Sequence, residues 1–515
     1  MNINDVTLWD IDTPYLYNVE VEIFKNGNLC DKDSVRHGFR TFDITANDGL
    51  FLNGKYVKIF GVCMHQDFGL TGKAVPDNIN RHKISMLKEM GANGYRTSHY
   101  PQNEAIMDAL DEQGFMVMAE TRWYDSTEES LKNLEFLIKS NRNRPSVFCW
   151  SVGNEERCNI EELGKNIFKA MKAHALKFDN TRPITVAIDK TPENATVNED
   201  CDIIGVNYNL DSYDILHERF PNKPIFSSEC CATGTTRGWY YDDCPEKGYL
   251  SAFDKDTNNW FRGREDTFKF MMERKYILGF FQWIAFEHRG EAVWPRLCSQ
   301  SGAIDLFLQK KDAFYQNKSH WTTEPMIHLL PHWNLPEYKG KSVRVSAYTN
   351  CESAELFLNG ETLGKKDIEK SDHAEWLVQY TPGKLEVKGF VNGQEVVSDI
   401  KETTDVPVAL KLKLENNNIV ANGDDIAVIT CYAVDKNGKE VPNASPTVSF
   451  FTNKLGAVVG TGSDISDHTP VTSSTRKMRA GRITAAVKIG KEKGTLEVFA
   501  ECENLLPARI DINLI

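Results

Sequence analysis

Two glutamates, Glu155 in "CWSVGNEERC" and Glu229 in "NKPIFSSECC", each close an apolar run of strand-forming residues. Carboxylates seldom end a buried apolar element unless they are paired or needed there. Two such acids, remote in sequence but brought to one pocket, can flank a glycosidic bond. One then acts as acid/base and the other as nucleophile when the pair stands about 5 Å apart. A second reading applies at Glu155: with Glu156 it could open a solvated helix over "EELGKNIFKAMKAHA" and sit against the N-terminal dipole.

The elements around these acids decide between the two readings. From residue 47 to 321, short apolar runs alternate with helical patterns: "YVKIFGVCM", "NGYRTS", "FMVMAE", "SVFCWSV", "ITVAI", "IIGVN", "PIFSSE" and "GFFQW". Ile79, Met86 and Met90 share a helical face that stops at Gly91, and Ile106 with Leu110 stops at Gly114. Eight strands with intervening helices match the size and order of a (β/α)8 TIM barrel, with a doubly wound open sheet as the alternative. In the barrel, Glu155 follows the fourth strand and Glu229 ends the seventh, so the two face each other across the mouth. No GxGxxG or Walker loop follows a strand, which leaves nucleotide chemistry without a foothold.

The flanking segments are all β. In residues 1–46, "YLYNVEVEIF" alternates Val19, Val21 and Ile23 with polar neighbours, the pattern of a half-buried strand. An immunoglobulin-like sandwich needs about seven strands in roughly 100 residues. Residues 1–46 hold two or three, so they are read as the remnant of one. After residue 321, strand runs separated by Asn-Gly and other Gly-containing turns predict two further immunoglobulin-like sandwiches, 322–402 and 403–515. The predicted fold class is therefore multi-domain: an α/β barrel at 47–321 with all-β domains around it.

Composition excludes some partners. The net charge of −13 and the lack of a Lys/Arg stripe argue against nucleic acid. No apolar run is long enough to cross a bilayer, and "MNINDVTLWD" lacks the basic flank and apolar stretch of a signal peptide. The twelve cysteines show no metal-ligand spacing, and most are read as free core thiols, Cys230 and Cys231 among them.

"FLNGKYVKIFGVCMHQD", "MGANGYRTSHYP", "NRNRPSVFCWSVGNEE" and "KPIFSSE" together resemble glycoside hydrolase family 2, the family of the β-galactosidases, β-mannosidases and β-glucuronidases. The resemblance covers residues 1 to about 321 directly, and the C-terminal sandwiches resemble accessory domains of gut-bacterial members. It implies that Glu155 is the acid/base and Glu229 the nucleophile of a retaining exo-glycosidase. Asn154 would then donate its amide to a sugar 2-hydroxyl, with helix capping as its alternative. Arg96 would hold the nucleophile ionised, and Tyr208 would hydrogen-bond it. His65 and His99 match histidines that contact sugar hydroxyls, and Trp283 would offer an apolar face to the sugar ring.

Departures from the family pattern refine these expectations. "MAETRWYDST" lacks the Glu-x-His of magnesium-dependent β-galactosidases, so neither a required metal nor a cofactor is expected. The Asn-x-Lys with which β-glucuronidases grip a uronate occurs only at Asn53-Gly54-Lys55, ahead of the first strand, and "FYQNKSHW" lacks it. A neutral hexoside is favoured, and "SHYP" points to a β-galactoside. The expected partner is a glycoside or oligosaccharide, with self-association left open. Family members carry a full sandwich and a jelly-roll domain ahead of the barrel, so the chain is read as N-terminally truncated, weakly active and poorly soluble, its localisation undetermined. Two other readings compete: a carbohydrate-binding scaffold without catalysis, which intact acids disfavour, and an aldolase, for which Lys58 and Lys190 are poorly placed.

Overall fold

A computed structural model describes residues 5–255 and 262–515. The first four residues of "MNINDVTLWD", read as lacking signal-peptide features, lie outside the described residues. β1 (Tyr17–Lys25) and β2 (Asn28–His37) pair antiparallel as an isolated two-stranded ribbon. The alternating pattern in "VEVEIF" does form a strand, but its apolar face is not half buried: Val21 and Ile23 are each 56% exposed. No second layer among the described residues covers the ribbon, and a two-stranded sheet cannot bury its own face. A three-stranded sheet follows, β3 (Phe42–Thr45), β4 (Gly49–Leu52) and β5 (Lys55–Val57).

The barrel closes from eight parallel strands: β6 (Ile59–Cys63), β7 (Gly94–Arg96), β8 (Met116–Glu120), β9 (Val147–Asn154), β10 (Ile184–Ile188), β11 (Ile204–Asn207), β12 (Ile225–Cys230) and β13 (Ile277–Gln282). Their neighbours follow sequence order around the ring, with β13 returning to β6. These strands are buried on both faces, which is why they read as continuous apolar runs. The run "YVKIFGVCM" is not one strand. It breaks at Lys58, whose Nζ donates to the carbonyls of Arg274 (2.8 Å) and Ile277 (2.7 Å) where β13 begins. Lys58 therefore lies at the barrel end remote from the strand C-termini, not inside a strand.

Among the described residues seven helices wrap the barrel: α1 (Asp77–Glu89), α2 (Glu104–Gln113), α3 (Glu128–Asn141), α4 (Glu162–Ala175), α5 (Ser212–Arg219), α6 (Arg264–Glu273) and α7 (Asp312–Trp321). Local chemistry sets their ends. Asn103 caps α2 by accepting from the Ala105 N–H at 2.7 Å, and Gly114 ends it in the left-handed region at φ 73°. The connection after β10 is the exception to the eightfold alternation, since "DKTPENATVNED" forms only two 3-10 turns, Pro192–Asn194 and Thr196–Glu199. Proline and the short polar side chains of that segment favour turns over a helix.

Beyond Trp321, a three-stranded and a four-stranded sheet between Ile327 and Glu402 enclose one core, and two four-stranded sheets between Ala409 and Leu514 enclose another. Both units are tied to the barrel. His328 contacts Asp312 at 2.8 Å, and Gln309 donates to Thr430 and Thr484 at 2.9 and 3.0 Å. Buried Arg237 joins Asp305 (2.7 Å) to the Ser463 carbonyl (3.1 Å).

Candidate active site

Glu155 and Glu229 both reach the C-terminal end of the barrel. Glu155 immediately follows β9, its backbone in the left-handed region at φ 56° and its N–H donating to the Ala187 carbonyl of β10 at 2.9 Å. Gly153 permits this strand end, because a Cβ there would stand 2.8 Å from the Tyr124 ring. The helix-start alternative does not hold: α4 begins at Glu162, and the 3-10 turn Arg157–Ile160 separates it from Glu155. Glu229 lies within β12, opposite Asn207 in the register with β11.

Arg96 connects the two acids to their surroundings. It ends β7 with no solvent exposure. Its Nη1 donates to Glu229 Oε1 (2.7 Å) and to the Ser228 carbonyl (3.0 Å). Nη2 donates to Asn154 Oδ1 (2.6 Å) and Glu120 Oε2 (2.8 Å), and Nε reaches the same Glu120 oxygen at 3.1 Å. Tyr208 donates its hydroxyl to the other oxygen of Glu229 at 2.7 Å. On the far side, Asn207 Nδ2 donates to Glu155 Oε1 (2.8 Å) and Asn154 Oδ1 (3.1 Å). An unbroken hydrogen-bond chain thus runs Glu155–Asn207–Asn154–Arg96–Glu229.

The electrostatics separate the two carboxyls. Burial, reinforced by the charge of Glu229, pushes Glu155 up to about 7, so it holds a proton near neutrality. Glu229 accepts hydrogen bonds from a guanidinium and a phenol. Burial, then Glu229, drives the Tyr208 phenol far above its ordinary value and keeps it a donor. Burial works against the charge of Arg96, but Glu120 and Glu229 hold it protonated.

His65, His99 and Trp283 gather at the ends of β6, β7 and β13. His99 Nδ1 lies 2.7 Å from Glu120, and its Nε2 lies 3.8 Å from Glu229. Burial, with His288 and His99 nearby, lowers His65 to about 3, so it is a neutral ring. Trp283 is 5% exposed, and its ring lies parallel to His99 at 5.3 Å, so His99 covers one face of the indole. The indole N–H donates to Glu291 at 3.1 Å.

All eight residues singled out by the sequence come to the strand ends. Sequence reasoning missed Glu120, Asn207 and Ser151. Glu120 is fully buried at the end of β8 and accepts from Arg96, His99 and Ser151. Burial works to raise its carboxyl, but Arg96 and the His99 hydrogen bond bring it below the usual range. Its signal was visible, since "FMVMAE" ends in an acid as the runs before Glu155 and at Glu229 do. Asn207 has no comparable signature, because its partners come from β9 and β12. For metals, the one group of His and carboxylates close enough among the described residues is Glu265, Asp372 and His373. It lies on α6 and the first sandwich, where Lys269 already reaches Asp372 at 3.1 Å and Glu265 at 3.5 Å.

Comparison with known proteins bears on this geometry. The family model "Glycosyl hydrolases family 2, TIM barrel domain" matches residues 43–125 and 123–243. "Glycosyl hydrolases family 2" matches 1–40, and "Glycoside hydrolase family 2 C-terminal domain 5" matches 410–511. Residues 340–397 match a domain of unknown function. Beta-galactosidase BoGH2A of Bacteroides ovatus is 28% identical, with 100% of this chain and 68% of that protein aligned. A putative beta-glucuronidase of Formosa agariphila is 30% identical over 87% of this chain and 47% of its own length. The crystal structure of a beta-glycosidase from Bacteroides vulgatus superposes with a TM-score of 0.90 at 28% identity, covering 99% of this chain and 71% of that one. The chain thus spans about half to two thirds of the length of these curated relatives. Fold and relatives define a TIM-barrel glycosidase with appended β-domains. The chain belongs to glycoside hydrolase family 2.

Proposed function

We propose that the chain is a retaining exo-glycosidase that removes terminal β-linked neutral hexoses, β-galactose foremost, through a glycosyl-enzyme intermediate. One observation carries the reading: a carboxyl raised to about 7, Glu155, is joined by hydrogen bonds to a second carboxyl, Glu229, held by Arg96 and Tyr208. Glu155 protonates the glycosidic oxygen as it departs, and Glu229 attacks the anomeric carbon to form an ester. Glu155, now ionised, takes a proton from water, which hydrolyses the ester and restores both groups. Asn154 and His99, at the same strand ends as the acids, would serve the sugar hydroxyls, and the neutral ring of His65 can donate or accept.

Relatives named for β-galactosidase and for β-glucuronidase both resemble the chain. A neutral sugar is favoured by the position of Asn53 and Lys55. They sit on the β4–β5 hairpin leading into the start of β6, at the barrel end remote from the acids, where they cannot grip a uronate. The test is a panel of 4-nitrophenyl β-galactoside, β-glucoside, β-mannoside and β-glucuronide. The highest kcat/KM is expected on the galactoside, with loss of activity in Glu229→Gln. Turnover that survives Glu229→Gln, or a preference for the glucuronide, would overturn the assignment.

A further inference from the structure

Glu291 belongs to the turn that follows β13 at the barrel mouth, and its side chain is 54% exposed. Its backbone lies in the left-handed region at φ 50°, a strained conformation for a non-glycine residue that persists where the surroundings fix it. Two contacts do so. The Trp283 indole N–H donates to Glu291 Oε2 at 3.1 Å, and His288 Nε2 lies 3.9 Å from the same oxygen. Gly290 lets the turn fold over His288, because a Cβ there would stand 3.1 Å from the imidazole. The other oxygen, Oε1, has no hydrogen bond among the described residues.

The charge of this carboxylate is not offset. No lysine or arginine among the described residues pairs with it. His288 does not neutralise it, since burial holds that imidazole below its ordinary value against the pull of Glu291. His65, whose ring centroid lies 4.5 Å from that of His288, is neutral as well. Of the cations on this side of the mouth, Arg289 is engaged with the Gly69 carbonyl at 2.8 Å, and Lys73 lies over the Tyr100 ring at 5.1 Å. Trp283, which Glu291 holds, is stacked on His99, and His99 Nε2 lies 3.8 Å from Glu229. A pyranose with its anomeric carbon at Glu229 and its 2-hydroxyl at Asn154 of β9 turns its C4–C6 edge away from β9, toward the ends of β13 and β6. There a primary hydroxyl can donate to a carboxylate, whereas a hexuronate brings a second negative charge against the first.

We infer that Glu291 is a specificity-determining residue, which accepts a hydrogen bond from the 6-hydroxyl of a neutral hexose and excludes hexuronic acids by charge repulsion. The inference rests on the glycosidase reading above and deepens it. 4-Nitrophenyl β-galactoside and β-galacturonide differ only at C6, so the ratio of their kcat/KM values isolates this contact. Glu291→Gln keeps an oxygen for the indole N–H and removes the charge. It is expected to raise the galacturonide-to-galactoside ratio about tenfold or more, and Glu291→Lys to raise it further. A merely structural role would lower both substrates alike. An unmoved ratio, or no galacturonide turnover even in Glu291→Lys, would overturn the assignment.

Salt supplies a second readout that packing alone would not move. In the unsubstituted protein, raising ionic strength from about 0.01 M to about 0.5 M should raise kcat/KM on the galacturonide about threefold or more, through screening of the repulsion. The galactoside should show no such rise, and Glu291→Gln should abolish it. A salt response that persists in Glu291→Gln would place the repulsion elsewhere and refute the inference. If no glycoside is hydrolysed by any of these proteins, the catalytic reading falls, and calorimetric titration with free galactose and galacturonate decides the site alone. Galacturonate bound about tenfold more weakly than galactose, with the gap closed in Glu291→Gln, supports the assignment. Equal binding of the two sugars by the unsubstituted protein, or binding of neither, refutes it.

Discussion

Glu155 is the residue on which pH dependence turns. Its carboxyl lies at about 7 because burial, and then the charge of Glu229, disfavours ionisation. In the proposed mechanism Glu155 is the acid of the first step and must carry its proton, so kcat/KM is expected to fall as pH rises through about 7, and Glu155→Ala to abolish that limb. Substrates with good leaving groups should largely survive Glu155→Ala, since they need no protonation. The same shift has a stability consequence of fixed sign. A carboxyl whose folded pKa stands above its ordinary 4.5 binds more protons folded than unfolded between 4.5 and about 7, so folding weakens as pH rises through that window. Glu155→Gln should therefore raise Tm at pH 8 and gain less at pH 5, which scanning calorimetry at the two pH values would check. Arg96 carries a different burden. Fully buried and bonded to Glu120, Glu229 and Asn154, it cannot be removed without leaving charges unpaired. Arg96→Met should cost about 3–5 kcal/mol in denaturant unfolding and abolish turnover. A loss under 1 kcal/mol would show that the network is not what holds the strand ends together.

At the scale of elements, the barrel delivers its chemistry by bending strand ends. Glu155 after β9, Tyr208 after β11 and Cys231 after β12 all have left-handed backbone, φ 56°, 60° and 54°, which for non-glycine residues stores strain of about 1–3 kcal/mol each. Gly153 makes the first of these turns possible, since a methyl there would meet the Tyr124 ring, whose hydroxyl is anchored to the Gly164 carbonyl at 2.7 Å. Gly153→Ala should lower kcat by about tenfold to a hundredfold through displacement of Glu155, with far-UV circular dichroism unchanged. Unaltered kcat would mean that the strand end has room to spare. The barrel strands were legible in the sequence because burial on both faces leaves an uninterrupted apolar run, and the acids were legible because a carboxylate is out of place at the end of one. Glu120 obeys the same rule, since "FMVMAE" also closes on an acid. Asn207 was not legible, since its meaning lies in which other strands surround it. The ribbon shows the converse limit, for the alternation in "VEVEIF" specifies a strand and an apolar face without specifying what covers it.

For the whole molecule, the sandwiches are bonded to the barrel rather than tethered to it, as Arg237, Gln309 and His328 show. The β1–β2 ribbon is bonded to the barrel at one end, where Arg36 pairs with Asp108 at 3.2 Å and His37 meets the Asn143 carbonyl at 2.9 Å, but its apolar face is bare. Val21, Ile23, Phe24 and Leu29 are each more than half exposed, and no strand among the described residues pairs with either ribbon edge. Such a surface promotes pairing between chains. The 515-residue chain should therefore self-associate with rising concentration in sedimentation velocity, and Val21→Lys with Ile23→Lys should suppress it. A monomer at all concentrations would show that the ribbon is benign. The central claim, that Glu229 is the nucleophile of a retaining glycosidase with Glu155 as its acid, is tested most directly by trapping the ester. With 2,4-dinitrophenyl 2-deoxy-2-fluoro-β-galactoside, fluorine destabilises the oxocarbenium-like transition states while the good leaving group keeps the first step faster than the second, so the intermediate accumulates. Peptide mass mapping is predicted to find one fluorogalactosyl group on Glu229, and none in Glu229→Ala. A label on Glu120, Glu155 or any other residue, or hydrolysis of the parent galactoside with no label formed, would contradict the account.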